Sequence, residues 1–193
     1  MGDTLRSQPQ SSMGKLFSKR LIMNEKLICR LLNSNDAELL FMFNSSIENL
    51  AYVPRTPYKD IEEAEALLAR FLKSMDDKTA IWWVVCSKCS GKLVGYGGLF
   101  GIDSDNSRAE IGYGFLKEHW GKGYASSIVG FITNYGFTEL RLHRIFGLVD
   151  PQNMASIRVL EKNGYTKEGI MSDYYYARGR YFDMCLMATI NKQ

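Results

Sequence analysis

A short loop in this sequence has the composition of an anion-binding site. The loop, Trp120-Gly121-Lys122-Gly123, precedes a stretch whose apolar residues recur at the 3.6-residue spacing of a helix. Its two glycines allow the backbone to turn and to approach a ligand without a Cβ in the way. The N–H groups of residues 121–126 have no carbonyl four residues back to bond, and the positive end of the helix dipole lies behind them. The loop therefore predicts a site for a phosphate or pyrophosphate.

Two common phosphate-binding motifs do not fit this loop. A P-loop needs Ser or Thr directly after its lysine, whereas Lys122 lies between the glycines and Tyr124 follows them. A dinucleotide fingerprint needs a third glycine, where Ser126 stands. The string Trp-Gly-Lys-Gly-Tyr-Ala instead resembles the Gln/Arg-x-x-Gly-x-Gly/Ala pyrophosphate loop of the GNAT acetyltransferases. Trp120 takes the Gln/Arg place, as in the RimJ/RimL-like branch that acetylates ribosomal-protein N-termini, and a plain glycine-rich turn before a helix is the alternative.

A second segment carries the same resemblance. From Asn153 the chain reads Asn-Met-Ala-Ser-Ile-Arg-Val-Leu-Glu-Lys-Asn-Gly-Tyr, which is similar to the GNAT segment after the fifth strand. Residues 25–32 resemble the first strand of that family, and residues 173–183 resemble its closing hairpin. Two motifs in the right order are much harder to obtain by chance than one. The resemblance covers roughly residues 24–190.

The resemblance implies an α+β fold with α/β/α layers. Its mixed, mostly antiparallel central sheet would have about seven strands, with strands 4 and 5 splayed and helices on both faces. It also implies an acyltransferase, an acetyl-CoA-dependent N-acetyltransferase in which a primary amine attacks the acetyl carbonyl directly, without an enzyme nucleophile. The acceptor is either a protein N-terminal α-amine or a small-molecule amine such as a polyamine, an amino acid or an antibiotic. A non-catalytic acyl-CoA-binding module is the alternative from another class.

The resemblance also implies which residues bind acetyl-CoA. They belong to the loop, to the strand end before it and to the second segment: Phe115, Leu116, Trp120, Gly121, Lys122, Gly123, Tyr124, Ala125, Ser126, Asn153 and Ser156. The backbone N–H of Phe115 or Leu116 would donate to the oxyanion. Asn153 would bond the pantetheine arm and also cap a helix, and Ser156 would be the general acid beside the thioester sulfur unless it only faces solvent.

Glu110 is the candidate general base, by its match to the central strand of the family, and would act through water. Strict strand alternation places it on the face of Gly112 and Gly114 unless a bulge near those glycines changes the register. An ion pair with Arg108 or Arg144 is the competing structural interpretation. Specificity for the acceptor would come from the loop at 44–60, from Glu48 and from the tyrosines 174–176.

Composition limits the other functions. The 193 residues are 46% hydrophobic and 23% charged, with a net charge of +3, which is too small to indicate nucleic-acid binding. No apolar run is long enough to span a membrane, the N-terminus is polar, and the four cysteines have no metal-site arrangement. We expect a cytoplasmic monomer or homodimer that binds no metal. Residues 1–14 would be a flexible tail and residues 15–193 a single acetyltransferase domain.

The sequence also predicts the elements that position these residues. Strands are expected at 26–32, 80–86, 92–100, 110–116, 144–149, 168–176 and 181–190. Helices are expected after Asp36, which would cap the first of them, from Asp60 to about Met75, at 124–139 and from Asn153 to Gly164. Asp60 and Glu63 make a capping-box pattern at the start of the second helix, and Tyr165 is expected in the core rather than at the catalytic site. The pair Cys86 and Cys89 falls in a predicted hairpin turn. The cluster Gly95, Gly97, Gly98 and Gly101 indicates close strand packing rather than a second nucleotide loop.

Overall fold

The structure, a computed structural model, describes residues 21–22 and 25–192, so the predicted tail at 1–14 lies outside the described residues. The strands are β1 (Leu21–Ile22), β2 (Leu27–Leu31), β3 (Ala80–Ser87), β4 (Leu93–Asp103), β5 (Arg108–Phe115), β6 (Arg144–Val149), β7 (Thr166–Ala177) and β8 (Arg180–Ile190). The α-helices are α1 (Ala37–Asn44), α2 (Ile61–Asp76), α3 (Tyr124–Thr138) and α4 (Met154–Lys162). A 3₁₀ turn at Lys117–His119 precedes α3.

The strands form one mixed sheet in the order β1-β2-β3-β4-β5-β6-β8-β7. Seven of them are the strands that the sequence predicts, and the two-residue β1 is the addition that it does not. Within the described ranges, β5 and β6 are the only parallel neighbours, because α3 crosses between them, and the other neighbours are antiparallel. The predicted mixed, mostly antiparallel sheet is confirmed.

The parallel pairing of β5 with β6 is short. It runs only from Arg108 opposite Arg144 to Glu110 opposite Phe146. Beyond that point β5 stays paired with β4 as far as Phe115, and β6 stays paired with β8 along its whole length. These two strands, the fourth and fifth of the predicted strands, therefore part, as the resemblance implies.

Two of the predicted helix starts have the expected cap. The side chain of Asp60 accepts a hydrogen bond from the Glu63 N–H at 3.2 Å, and α2 begins at the next residue. The side chain of Asn153 accepts from the Ser156 N–H at 3.0 Å at the start of α4. Gly164 ends α4 with a left-handed φ of 83°. None of the helices in the described ranges is long and apolar enough to cross a membrane.

Asp36 behaves differently from the prediction. It stands before α1, but its side chain makes no cap hydrogen bond to the helix. The buried carboxylate instead accepts from the Arg30 guanidinium at 2.6 and 2.8 Å and from the Asn33 N–H at 2.8 Å. The position of the helix start was correct, and the proposed capping role was wrong because a charged partner on β2 outcompetes the helix N–H groups.

Helices cover both faces of the sheet, as predicted. On one face α1 and α2 pack against the central strands in a core that includes Leu39, Leu68 and Trp82. On the other face α3 and α4 pack in a second core that includes Ile132 and Leu160. The sheet is thus the middle layer, and anything that lies where β5 and β6 part can be reached from both sides.

The glycines of β4 are packing residues. A Cβ at Gly95 or Gly98 would overlap backbone atoms of a neighbouring strand, and one at Gly97 would lie 3.0 Å from the Ile132 side chain. Close strand packing is therefore confirmed for these three positions. Gly101 differs, because a Cβ there would meet nothing within 4 Å and its φ of 57° is the feature that favours glycine.

We predict that Gly98→Ala lowers the free energy of unfolding by about 1–3 kcal/mol, because the added methyl would overlap the Ile81 carbonyl oxygen and the Trp82 ring. Gly169→Ala is the matched control, since a Cβ there meets nothing within 4 Å and the backbone is not left-handed. Urea unfolding of both variants checks the prediction. Equal stability of the two variants would contradict it.

Candidate active site

A cleft of about 510 Å³ opens where β5 and β6 stop pairing. Its lining includes residues 110–113 of β5 and residues 147–150, which complete and follow β6. Residues 52–55, from the loop between α1 and α2, and Tyr175 of β7 also line it. Each strand keeps its other partner, so the edges that face the cleft have backbone groups with no strand to bond. The cleft is therefore lined by both polar backbone and side chains.

Glu110 lies at the last paired position of β5, at the start of the cleft. The register between β4 and β5 is unbroken from Phe115 to Glu110, and its irregularity lies beyond, between Phe100 and Asp103. No bulge therefore changes the alternation, and Glu110 faces the same side as Gly114. That side is the α1 side, because a Cβ at Gly114 would meet the ring of Phe43.

The Glu110 carboxylate has no ion pair or hydrogen bond with any described residue. The competing interpretation is wrong, since Arg108 pairs with Asp103 at 3.2 Å and Arg144 pairs with Glu168. Burial raises the pKa of Glu110 from 4.5 to about 7. A carboxyl group that titrates near neutral pH, half-buried and unpaired in a cleft, is suited to accept a proton.

Tyr113 and Ser156 form a hydroxyl pair on the opposite side of the sheet. Tyr113 is an odd-numbered residue of β5, so it faces α4, and its Oη lies 2.6 Å from the Ser156 Oγ. Either oxygen can be the donor of this bond. Burial raises the pKa of Tyr113 to about 12, so its hydroxyl holds its proton. The predicted Ser156 lines the cleft as part of this pair, whereas Tyr113 was not recognised.

Asn153 also lines the cleft. Its side-chain oxygen is taken by the Ser156 N–H in the helix cap, which leaves the amide NH₂ group free to donate. The cap and a ligand contact are therefore compatible. Tyr165, by contrast, is buried and bonds the Thr133 hydroxyl at 2.8 Å, so it belongs to the core as expected.

The glycine loop leaves a run of N–H groups free. Gly121 and Gly123 have φ angles of 72° and 77°, and a Cβ at either would meet nothing within 4 Å. None of the N–H groups of residues 121–126 donates to an acceptor in the described part of the chain. Lys122 is exposed beside them and has no ion pair with a described residue. The loop is therefore an open concave set of donors at the N-terminus of a 15-residue helix, which is suited to an anion.

The structure distinguishes the two candidate oxyanion donors. The N–H of Leu116 donates to the Val94 carbonyl at 3.2 Å, so it is occupied within the sheet and the prediction for it is wrong. Because N–H groups of an antiparallel strand alternate between its two edges, the N–H of Phe115 is directed away from β4. The Phe115 carbonyl confirms this direction, since it accepts from the Trp120 indole at 2.7 Å instead of from β4. Trp120 thus fixes the loop to the end of β5.

The start of α3 contributes backbone more than side chains. The Ser126 hydroxyl accepts from the Asn163 side chain at 3.2 Å, and the Tyr124 ring lies against Phe115, with centroids 6.4 Å apart. The side chains of Ser126 and Tyr124 are therefore engaged with the protein. Together with Ala125, these residues offer their N–H groups to a ligand.

The acceptor end of the cleft differs in part from the prediction. All three tyrosines are exposed on the hairpin, and of the three only Tyr175 is part of the cleft lining. Glu48 does not line it, because its exposed carboxylate pairs with Lys117 at 3.1 Å. The loop at 44–60 does contribute, through residues 52–55.

Arg55 is the residue of that loop which sequence reasoning missed. It lines the cleft, and its Nη1 donates to the Asn44 Oδ1 at 2.6 Å. The available signal was weak, since an arginine between two prolines in a loop is ordinary in a sequence. Tyr113 had a stronger signal, because strand alternation from Glu110 places it on the other face of the same strand.

Comparisons with known proteins agree with this geometry. Residues 26–166 match the acetyltransferase (GNAT) domain family. The chain is 33% identical over 172 residues to the N-acetyltransferase p20 of Bacillus licheniformis, which covers 89% of this chain and 97% of that protein. The structure of spermidine N-acetyltransferase from Vibrio cholerae in complex with CoA and spermine superposes with a TM-score of 0.77 at 28% identity, covering 86% of this chain and 96% of that one. The ribosomal-protein-S5-alanine acetyltransferase of Vibrio fischeri superposes with a TM-score of 0.75 at 25% identity, covering 88% and 96%. The chain therefore belongs to the GNAT family of acetyl-CoA-dependent N-acetyltransferases.

Proposed function

We propose that this enzyme acetylates a primary amine of low basicity, with Glu110 as the proton acceptor. The observation that carries the proposal is the unpaired Glu110 carboxyl, whose pKa of about 7 places its titration near neutral pH at the point where β5 and β6 part. The same cleft holds the Tyr113–Ser156 pair on its other side. A proton acceptor and a proton donor thus face one space from opposite faces of the sheet.

The residues present fit the cosubstrate. The free N–H groups at 121–126 would hold the diphosphate of acetyl-CoA, with Lys122 adding a positive charge. The NH₂ group of Asn153 and the edges of β5 and β6 would bind its pantetheine arm, and the Phe115 N–H would donate to the carbonyl oxygen of the thioester. When bound, acetyl-CoA supplies an activated acetyl group. The task of the protein is to hold it beside the amine and to move two protons.

The pKa of Glu110 bears on the kind of amine. At pH 7, deprotonating an α-amine with a pKa near 8 costs about 1.4 kcal/mol, whereas an amine as basic as lysine costs about 4.6 kcal/mol. A carboxylate with a pKa of about 7 removes the first proton easily and the second with difficulty. An α-amine is therefore the acceptor that this site supports best.

Two kinds of acceptor remain. A small-molecule amine is supported by the solved relative that binds spermine and is named for spermidine, although the primary amines of these polyamines are alkylamines like that of lysine and not α-amines. A protein N-terminus, and with it the RimJ/RimL-like branch, is supported by the relative named for alanine of a ribosomal protein. We place the small molecule first, because residues of the α1–α2 loop and Tyr175 both line the cleft and restrict the space for an acceptor. A cytoplasmic location is part of the same proposal, since the four described cysteines are free thiols.

The test of the proposed function is a thiol-release assay with acetyl-CoA and a panel of amines. The panel contains amino acids, peptides with free N-termini, polyamines and simple primary amines, and mass spectrometry confirms each acetylated product. Release that requires an α-amine supports the proposal. Binding of CoA without release for any amine would refute it and favour a non-catalytic acyl-CoA-binding module.

We predict that Gly123→Glu abolishes CoA binding, because a carboxylate would project among the N–H groups that the diphosphate needs. Gly179→Glu is a matched control: its glycine also has a left-handed φ, of 74°, and open space, but it lies in the turn between β7 and β8. Both variants should lose about 1 kcal/mol of stability for the strained backbone. Calorimetric titration with CoA measures the difference, and retained affinity in Gly123→Glu would remove the loop from the site.

We predict that Glu110→Gln lowers kcat by about 10²–10⁴-fold. In the wild type, kcat/KM should fall as the pH drops below about 7, because the base becomes protonated. Glu65→Gln, which changes an exposed carboxylate on α2, is the control and should leave both quantities unchanged. If the Gln variant shows the same pH profile as the wild type, Glu110 is not the base and its role is structural.

The same variant has an expected stability signature. Because the folded-state pKa of Glu110 lies above the ordinary value of 4.5, the folded protein holds this proton more tightly than the unfolded chain does. The stabilisation that the folded protein gains from binding this proton is therefore lost as the pH rises from 4.5 to about 7. Glu110→Gln should be more stable than the wild type at pH 8, by at most about 3 kcal/mol, with the difference vanishing toward pH 4.5. Urea unfolding at several pH values measures this difference.

We predict that Ser156→Ala and Tyr113→Phe each lower kcat by about 10–100-fold, because the pair returns a proton to the departing thiolate. If the two hydroxyls act as one unit, the double variant should lose no more than either single variant. Tyr165→Phe is the control, since it removes a buried hydroxyl that bonds Thr133 outside the cleft. Additive losses in the double variant would show that the two hydroxyls act separately.

A further inference from the structure

We propose that the acceptor carries an anionic group, a carboxylate, in addition to its amine, and that Arg55 binds it. This proposal rests on the proposed function, since it names the class of amine that the same site takes. Among the described residues that line the cleft, Arg55 is the only cation, and Glu110 and Asp150 are the only carboxylates. The charge pattern of the cleft is thus that of a site for a molecule with both signs of charge.

The charge of Arg55 is not neutralised by the protein. No carboxylate of the described residues lies within 4.0 Å of its guanidinium, and its Nη1 donates to a neutral acceptor, the Asn44 Oδ1. A guanidinium has five N–H donors in a planar fork, which suits two-point binding of a carboxylate. The cation is half-buried, so leaving it without an anion is costly. A ligand that brings a carboxylate would remove that cost.

The position of Arg55 is fixed by neighbours that carry no charge. Asn44 is fully buried, and its Nδ2 donates to the Leu40 carbonyl at 2.7 Å, which leaves its oxygen directed at Arg55. The Asn44 carbonyl accepts from the Tyr58 N–H at 2.9 Å, and the Arg55 N–H donates to the Val53 carbonyl at 2.7 Å. The loop therefore holds the guanidinium in place before any ligand arrives, which lowers the entropy cost of binding.

A hydrogen bond from the β7–β8 hairpin also holds this loop. The Arg178 guanidinium, from the β7–β8 turn, donates to the Leu50 carbonyl at 2.9 Å. Tyr175 of the same hairpin lines the cleft close enough to Glu110 that this carboxyl helps to raise the pKa of the tyrosine, after burial. Arg55 and Glu110 are thus presented to the same cleft by segments that are tied together.

Much of the remaining cleft lining is aromatic. It includes Tyr52, Phe71, Trp82, Tyr96, Phe100 and Tyr175. The Arg55 charge acts on Tyr96, where it opposes the upward effect of burial on the pKa. Phe100 of β4 is the partner of Glu110, and Tyr96 lies four residues from Phe100 on the same strand. Four residues of strand span about 13 Å. An acceptor that reaches both charges therefore has its amine and its carboxylate several bonds apart and presents an apolar or aromatic side group to the walls of the cleft.

The same arrangement disfavours a polyamine. A polyamine brings further positive charges into a cleft where Arg55 is an unneutralised cation and where Asp150, the second carboxylate of the lining, already accepts from the Gln152 N–H at 2.8 Å. Like charges in a partly buried site repel, and this repulsion selects against the wrong substrate as effectively as a favourable contact selects the right one. Spermidine and spermine should therefore be poor acceptors for this chain.

The test compares acids with their own carboxamides. The probes are phenylalanine, phenylalanylglycine and phenylalanyl-glycyl-glycine, each against its C-terminal amide, with phenethylamine and spermidine added. Acetylation is followed by thiol release and mass spectrometry. We expect kcat/KM to be at least about tenfold higher for the acid than for the amide at one or more of these lengths. No preference at any length, or a preference for the amide or for spermidine, would overturn the proposal.

Variants assign the preference to Arg55. Arg55→Met should abolish the acid-over-amide preference while acetylation of the amides continues, and Arg55→Lys should retain part of it. Lys59→Met is the matched control, since it removes one positive charge from the same loop at an exposed position outside the cleft, and it should retain the full preference. Thermal melts check that each variant is folded, and Arg55→Lys decides the question if Arg55→Met is not.

The failure of this proposal can be told from failure of the proposed function. Acetylation of α-amines with no acid preference, or with a preference that survives in Arg55→Met, overturns the role of Arg55 and leaves the function standing. Absence of acetyl transfer to every amine in the panel overturns both.

Discussion

The site depends on how four neighbouring strands share their hydrogen bonds. β5 keeps its full pairing with β4, and β6 keeps its full pairing with β8, so each strand retains one complete partner when the two separate. The backbone N–H and C=O groups of β5 and β6 that face the gap then have no neighbouring strand to bond. Such groups are costly to leave unpaired in a protein interior, and a ligand arm with amide groups can satisfy them. We therefore propose that the cosubstrate completes the sheet at this opening.

Strand alternation then distributes the chemistry. Glu110 and Tyr113 are three residues apart on β5, so they face opposite sides of the sheet. Steric contacts explain why Gly112 and Gly114 are glycines. A Cβ at Gly114 would collide with the Phe43 ring, and one at Gly112 would lie 3.0 Å from the ring of Phe100. The aromatic wall of the acceptor end can thus lie directly on the strand. The proposed proton acceptor and proton donor therefore lie on opposite faces of the sheet.

Much of the fold and part of the site could be predicted from the sequence. The amphipathic spacing of α2 and α3, the Asp60 and Asn153 caps and the free N–H groups of the loop are local features, which depend on neighbours a few residues away. The residues that sequence reasoning missed depend on distant ones. Tyr113 is hydrogen-bonded to Ser156, which lies 43 residues later in the sequence. Arg55 is hydrogen-bonded to a buried asparagine on a different element. Asp36 was misassigned for the same reason, because its partner Arg30 lies on a strand.

The raised pKa of Glu110 has a cause that suits its role. Burial alone raises it, with no neighbouring carboxylate contributing. A shift of this origin is reversed when a cation arrives, because an ammonium group a few ångströms away stabilises the carboxylate that burial destabilises. The entry of a protonated amine would therefore ionise the base that is to deprotonate it. Proton transfer then converts the ion pair into two neutral groups, and the cost of keeping two charges in a partly buried cleft offsets part of the cost of that transfer. A second cation close to Glu110 would hold the carboxylate in its charged form, whereas a carboxylate bound by Arg55, as we propose, would not. The charges at the two ends of the cleft and the basicity of the acceptor are thus parts of one electrostatic arrangement.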